Sequence, residues 1–302
     1  MKRLWLALSI LLISSTMGWT KEGPLHIVAT QTIFADLVKK IGGDHVNVSA
    51  VASPKYNIHF IQPKPSDVRK VAEADLYVNA GLDLEAWSDP LLEAAGRPEL
   101  FRNGKSNLDL SQDIRLLKVP DYPLSRAEGD MHIFGNPHFQ MNPENAKIMA
   151  GHILTKLEEV DPDNKAYYEQ NAKVFLDQLD QKIKEWKDLC AHCRGEEIIS
   201  YHDDIIYLAD FLNLKAEEFL EPKPGIPPTP RHLQFLEEYV QKNKVKAIVL
   251  PTYYSRKEAD KLAQKIGAKV VTICQSIGEV AGTEDVFGFY DYNIRHLSEA
   301  LR

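Results

Sequence analysis

Short apolar runs alternate with amphipathic stretches along this chain, and this alternation constrains its fold most strongly. An apolar run at residues 26–30 is followed by apolar residues at helical spacing as far as Ile41, and then by a second run at 46–51. Parallel strands need a long crossover between them, so this order predicts a parallel sheet with crossover helices. A third apolar run at 75–79 extends the predicted sheet.

The second half of the chain repeats this pattern, with predicted strands at 197–201, 245–250 and 270–274. Between the halves lies a helical stretch from about 164 to 189, which is long for a compact domain. The sequence therefore predicts an α/β protein with two similar lobes, each a mainly parallel sheet flanked by helices and joined by one long rigid linking helix. The predicted segments are an N-terminal lobe (21–160), the linking helix (161–190) and a C-terminal lobe (191–302).

The N-terminus has the composition of a secretory signal peptide over residues 1–20. Lys2-Arg3 precede a short apolar core, which ends in small and polar residues. No cysteine follows the core, so lipid anchoring by that route is not predicted. The net charge of −7 argues against nucleic acid or an anionic membrane surface as the main partner. We therefore expect a soluble protein that works in the periplasm or elsewhere outside the cytoplasm.

Three histidines lie next to predicted strand ends or helix starts. His59 is in a proline-rich loop after a strand, His138 is in a loop between Pro137 and a helix start at Asn142-Pro143, and His202 directly follows a strand. Open α/β sheets gather ligands at the carboxyl ends of their strands. Three imidazoles with a carboxylate or a water satisfy tetrahedral Zn²⁺, although imidazole also suits copper, nickel and iron. A cleft between two lobes would bring all three together.

The residues around these histidines resemble the zinc/manganese solute-binding proteins of ABC importers, the cluster A-I family. The matching segments are His59 with residues 63–67, then 73–76 and 79–85, then 137–138 with 142–146, and 201–203 with 207–209. The resemblance implies a metal between two lobes, with His59, His138 and His202 as ligands. Histidine at the third position, His202, implies the zinc subgroup. Binding of Mn²⁺ or Fe²⁺ is implied less strongly. The resemblance also implies delivery to an ABC permease by a monomer, without catalysis.

The fourth ligand stays open among Asp285, Glu284, Gln275 and water. The family often has an acidic residue just after the last strand, where this chain has Gln275. Asp285 is a candidate ligand, and capping of the final helix is the favoured role for it. The main alternative function is an exported zinc-dependent hydrolase that uses the same three histidines, with water at an open fourth position. An adhesion or storage protein of the same fold is a third interpretation.

Two smaller features carry weaker predictions. Cys190 and Cys193 have C-x-x-C spacing, for which a local disulfide is favoured over a redox motif or a metal knuckle. The segment Asp130-Met131-His132 is a weak candidate for flexible metal scavenging. The long histidine-rich loop of the family is missing, and residues 118–135 form a short acidic segment instead.

Overall fold

The structure is a computed structural model that describes residues 23–121, 132–223 and 225–302. The predicted signal peptide at 1–20 lies outside these residues. Within the described ranges, no helix combines the length and apolar character that a membrane crossing requires.

The first sheet has four parallel strands in the order β2-β1-β3-β4. They are β1 (Leu25–Ala29), β2 (Val46–Ala50), β3 (Leu76–Asn79) and β4 (Asn107–Asp109), and the helices here are α1 (Thr32–Gly42), α2 (Pro65–Ala72) and α3 (Ser88–Ala95). The strands predicted at 26–30, 46–51 and 75–79 and the helix predicted as far as Ile41 form within one residue of these bounds. β4 lies outside the apolar runs noted in the sequence, because its three residues bury only Leu108 and are too short to show a period.

The second sheet has three parallel strands in the order β5-β6-β7. They are β5 (Ile198–Ser200), β6 (Ala247–Pro251) and β7 (Lys269–Ile273), with helices α6 (Ile206–Leu212), α7 (Pro230–Asn243), α8 (Lys257–Ile266) and α9 (Val286–Ala300). β6 is buried along its whole length, as its unbroken apolar sequence predicts.

Two helices lie between the sheets in sequence, α4 (Pro143–Val160) and α5 (Lys165–Leu189). With 25 residues, α5 is about 37 Å long. Its side chains contact both halves: Asn171 donates to the carbonyl of Ile41 (3.0 Å), and Trp186 donates to Asp291 on α9 (3.2 Å). One continuous apolar core extends from β1 through α5 to α9. The predicted fold class, two parallel sheets flanked by helices with one long helix between them, is confirmed.

Cys190 and Cys193 are buried free thiols just after α5, so the predicted local disulfide is wrong for this structure. The Cys190 thiol donates to the carbonyl of Ile294 (3.7 Å), and the Cys193 sulfur lies 3.4 Å from Nε2 of His192. A bridge here would close a very small loop and would add little stability by restricting the unfolded chain. The spacing alone did not reveal that both thiols pack into the core.

Candidate metal centre

His59 is held in a fixed position by the loop that leaves the carboxyl end of β2. It lies in a 3-10 turn, Ile58–Phe60, and its backbone N–H donates to the Asn57 side chain (3.0 Å). The indole of Trp87 donates to the carbonyl of Ile58 (2.8 Å). The turn is therefore fastened at both its cap and its first residue, which restricts where the imidazole can lie.

His138 lies in the loop before α4, and this loop contacts the second half of the molecule. Its N–H donates to Oδ1 of Asn136 (3.0 Å), and the amide of Asn136 donates to the carbonyl of Asp203 (2.8 Å). The Tyr207 hydroxyl on α6 donates to the carbonyl of Asn136 (2.9 Å). Asn142 caps α4 by accepting from the N–H of Glu144, as its position before Pro143 predicts. His138 is thus tied to both the downstream helix and the loop that carries His202.

His202 follows β5 directly, and its ring is oriented by Glu221. Nδ1 of His202 lies 3.1 Å from Oε2 of Glu221, which also accepts from the N–H of Gly225 (3.1 Å). A carboxylate can only accept here, so Nδ1 carries a proton and Nε2 is the nitrogen left to bind a metal ion once it loses its own proton. That Nε2 is buried without a hydrogen-bond partner. Metal-binding histidines are commonly oriented by a carboxylate in this way.

The structure brings the three predicted histidines together. The Nε2 atoms of His59 and His138 are 3.2 Å apart. Two nitrogens bound at about 2.0–2.1 Å to one tetrahedral ion would be roughly 3.3 Å apart. The His202 ring centre lies 5.7 Å from that of His59 and 5.6 Å from that of His138. The three rings therefore lie in one cluster, and the His59 and His138 nitrogens have the spacing of two ligands on one ion.

Among the described residues, two groups place all their candidate ligand atoms within 4.8 Å of one another. One is His59, His132 and His138, and the other is His138, His202 and Asp203. A cleft of about 1630 Å³ reaches the cluster and is lined by His59 and His202. The cluster is therefore largely buried but lies beside a route from solvent.

The surroundings keep two of the three imidazoles in the neutral form that binds metal. Burial and the neighbouring His132 and His202 lower the pKa of His59 well below its usual value. Burial and the neighbouring His59, His202 and His132 likewise lower the pKa of His138 well below its usual value. Both rings are then neutral, the form that binds metal. For His202, burial lowers the pKa, but Glu221, Asp203 and Asp204 outweigh it and raise the pKa to about 9.

The candidates for a fourth ligand near the final helix have other partners. Oδ1 of Asp285 accepts from the N–H of Gly288 (2.9 Å), which caps α9, and Oδ2 pairs with Lys40 (2.8 Å). Glu284 accepts from the N–H of Gly282 (2.9 Å). Neither carboxylate belongs to the two groups of candidate ligands in the described part of the chain. The structure thus uses Asp285 as a helix cap and does not bring it into the cluster as a ligand.

Two residues of the site had no strong signal in the sequence. His132 lies in a segment predicted only as a weak metal scavenger, yet it joins His59 and His138. Glu221 opens a proline-rich loop, and nothing in its spacing links it to His202, 19 residues earlier. Both become part of the site through contacts between distant segments.

The fold and the cluster define a class: two-lobed α/β proteins with a long helix between the sheets and a buried histidine site for a metal. A family model described as ZnuA, zinc-uptake complex component A, periplasmic, matches residues 27–300. The chain belongs to this family, the metal-binding substrate-binding proteins of ABC importers. These proteins are not enzymes, which excludes the hydrolase alternative, and their place in an importer implies a permease partner.

Relatives agree on the class but differ in the metal that their names give. The manganese ABC transporter substrate-binding lipoprotein scaA of Streptococcus gordonii is 28% identical over 293 residues, covering 93% of this chain and 90% of that protein. The high-affinity zinc uptake system protein ZnuA of Bacillus subtilis (strain 168) is 28% identical over 259 residues, covering 85% and 80%. A solved structure of a ZnuA deletion mutant with zinc bound superposes with a TM-score of 0.77 at 25% identity, covering 92% and 98%.

Proposed function

We propose that this protein is an extracytoplasmic receptor that captures Zn²⁺ with His59, His138 and His202 and delivers it to the permease of an ABC importer. The observation that carries the proposal is the 3.2 Å approach of the His59 and His138 Nε2 atoms beside a His202 ring oriented by Glu221. This spacing matches the edge of a tetrahedral zinc site.

The donor set favours zinc over manganese. Imidazole nitrogen suits zinc, copper and iron, whereas Mn²⁺ prefers carboxylate, carbonyl and water oxygen. The three proposed ligands are all imidazoles, and the carboxylate Glu221 contacts Nδ1 of His202 and orients that ring. A site for Mn²⁺ would be expected to place a carboxylate among the direct ligands. Fe²⁺ is disfavoured relative to zinc because it lies lower in the general order of divalent metal affinities.

The proposed location and organisation rest on the sequence. The signal-peptide composition of residues 1–20 supports export, and the family description names a periplasmic component. We propose segment boundaries at 21–160, 161–190 and 191–302, so that α5 lies inside the linking segment. We also propose that the mature protein acts as a monomer, because a permease needs access to the cleft that holds the metal.

A metal competition tests the proposed specificity. Metal-free mature protein, prepared without a metal-affinity tag, is equilibrated with equimolar Zn²⁺ and Mn²⁺ and its bound metal is measured. We expect one zinc per chain and almost no manganese. His202→Ala should weaken zinc binding by orders of magnitude, whereas His296→Ala, which removes an exposed imidazole on α9, should not. Preferential manganese binding would refute the specificity, and full zinc affinity in His202→Ala would refute the ligand assignment.

A further inference from the structure

We propose that His132 supplies a fourth imidazole to the metal, so that the site has four histidine ligands. This inference rests on the proposed function and extends its ligand set. The candidate ligand atoms of His59, His132 and His138 all lie within 4.8 Å of one another. The His132 ring stacks against His59 with 5.1 Å between ring centres, and it lies 6.3 Å from His138 edge to face.

The His132 ring is oriented as a metal ligand would be. Its Nδ1 lies 2.6 Å from Oδ1 of Asp83, so this nitrogen carries the proton and donates to the carboxylate. Its side chain is only 9% exposed, and Nε2 is buried without a hydrogen-bond partner. A buried polar nitrogen without a partner is costly, and a metal ion shared with His59 and His138 would satisfy it. The pair Asp83–His132 thus repeats the arrangement of Glu221 and His202.

A strained turn presents Asp83 to His132. Leu82 and Asp83 both have positive φ angles, 52° and 59°, a backbone conformation that residues other than glycine seldom adopt. The turn is closed by Glu85, which accepts from the N–H of Ala80 (3.2 Å), and by Asn79, which accepts from the N–H of Gly81 (3.0 Å). Such strain persists where the surroundings enforce it, and it is common at ligand sites. Here it places a carboxylate behind an imidazole 49 residues away in sequence.

Asp203 is the competing fourth ligand. Its Oδ1 lies 3.2 Å from Nε2 of His202, and it belongs to the second group of candidate ligands. We favour His132 because its ring is already fixed by a second residue and its free nitrogen is aimed into the cluster. The consequence is chemical: four neutral imidazoles form a site that discriminates against Mn²⁺ more strongly than three imidazoles and a carboxylate.

The test compares four variants of the mature protein, His132→Ala, Asp83→Ala, Asp203→Ala and the control His296→Ala. Zinc and manganese affinities are measured by competition with a chelator. We expect His132→Ala to lose about 100-fold to 1000-fold in zinc affinity and Asp83→Ala about 10-fold to 100-fold. Water replaces the lost imidazole, so the ratio of zinc to manganese affinity should fall at least about tenfold in His132→Ala. The control His296→Ala should keep both affinities near those of the wild type, and Asp203→Ala should lose less zinc affinity than His132→Ala.

A second readout separates ligation from a structural role. Zinc-edge X-ray absorption should show one imidazole fewer in His132→Ala than in the wild type, while Asp83→Ala keeps the number. Wild-type zinc affinity and an unchanged imidazole number in His132→Ala would overturn the inference, as would a loss that appears only in Asp203→Ala. In both cases zinc binding by the wild type would leave the proposed function standing. Failure of the wild type itself to bind zinc would refute the proposed function.

Discussion

The buried carboxyl of Glu85 gives a quantitative prediction about stability. Glu85 is 3% exposed and accepts from the Thr30 hydroxyl (2.7 Å), the Gln31 amide (3.1 Å) and the N–H of Ala80 (3.2 Å). Burial outweighs these donors and raises its pKa from 4.5 to about 7. The folded protein therefore keeps a proton that the unfolded chain releases near pH 4.5. Stability from this group is fully present below pH 4.5 and is lost as the pH rises through about 7.

The size of this loss follows from the shift in pKa. One pKa unit corresponds to about 1.4 kcal/mol, so a shift of this size implies a loss of about 2–3 kcal/mol between pH 5 and pH 8. The Gln side chain of Glu85→Gln stays neutral throughout, so this variant should not show that loss of stability. The Gln side chain keeps a carbonyl for the Thr30 hydroxyl or the Ala80 N–H, so the turn that holds Asp83 should persist.

Urea denaturation of both proteins measures this difference. The proteins are kept metal-free with a chelator, and tryptophan fluorescence reports unfolding at pH 5 and pH 8. The histidines titrate in both proteins, so comparison of the two pH dependences isolates Glu85. We expect the unfolding free energy of the wild type to fall by about 2–3 kcal/mol more than that of Glu85→Gln across this range. Equal pH dependence in the two proteins would refute the assignment of a buried, proton-retaining carboxyl.

Three further predictions follow from the site. His138→Ala should weaken zinc binding about 100-fold to 1000-fold, because a four-ligand zinc site binds with about 10–16 kcal/mol and each ligand supplies a share of that free energy. Competition with a chromogenic chelator measures the affinity, and a loss below tenfold would contradict the assignment of His138 as a ligand. Glu221→Gln should weaken zinc binding about 10-fold to 100-fold through His202, because Gln lacks the charge that makes the ring more basic; an unchanged affinity would remove Glu221 from the site. Asp285→Ala should lower the unfolding free energy by about 1 kcal/mol through loss of the α9 cap and leave zinc affinity unchanged; weakened zinc binding with unchanged stability would make Asp285 a ligand after all.

Local patterns in the sequence predicted the elements of the fold well. The apolar spacing of α1 and α5 and the unbroken apolar run of β6 each reflect which side chains the element buries. The start of α4 was predictable because Asn142 and Pro143 act within one turn of the chain. β4 was not predictable, because it is a strand only through its pairing with β3.

The site could be predicted only in part. His59, His138 and His202 could be singled out because each lies at a strand end or a helix start. The orienting roles of Asp83 and Glu221 depend on contacts across 49 and 19 residues, and no local pattern encodes those contacts. Asp285 pairs with Lys40, which lies 245 residues earlier on α1. Distant pairings of this kind require the folded structure.

Zinc-edge X-ray absorption of the zinc-loaded wild-type protein shows whether the histidine cluster holds the metal. We expect nitrogen at about 2.0–2.1 Å with the multiple scattering of several imidazole rings, and no sulfur at about 2.3 Å. Sulfur in the first shell would place the metal at the cysteines. A shell of oxygen alone, without imidazole scattering, would contradict metal binding by the histidine cluster.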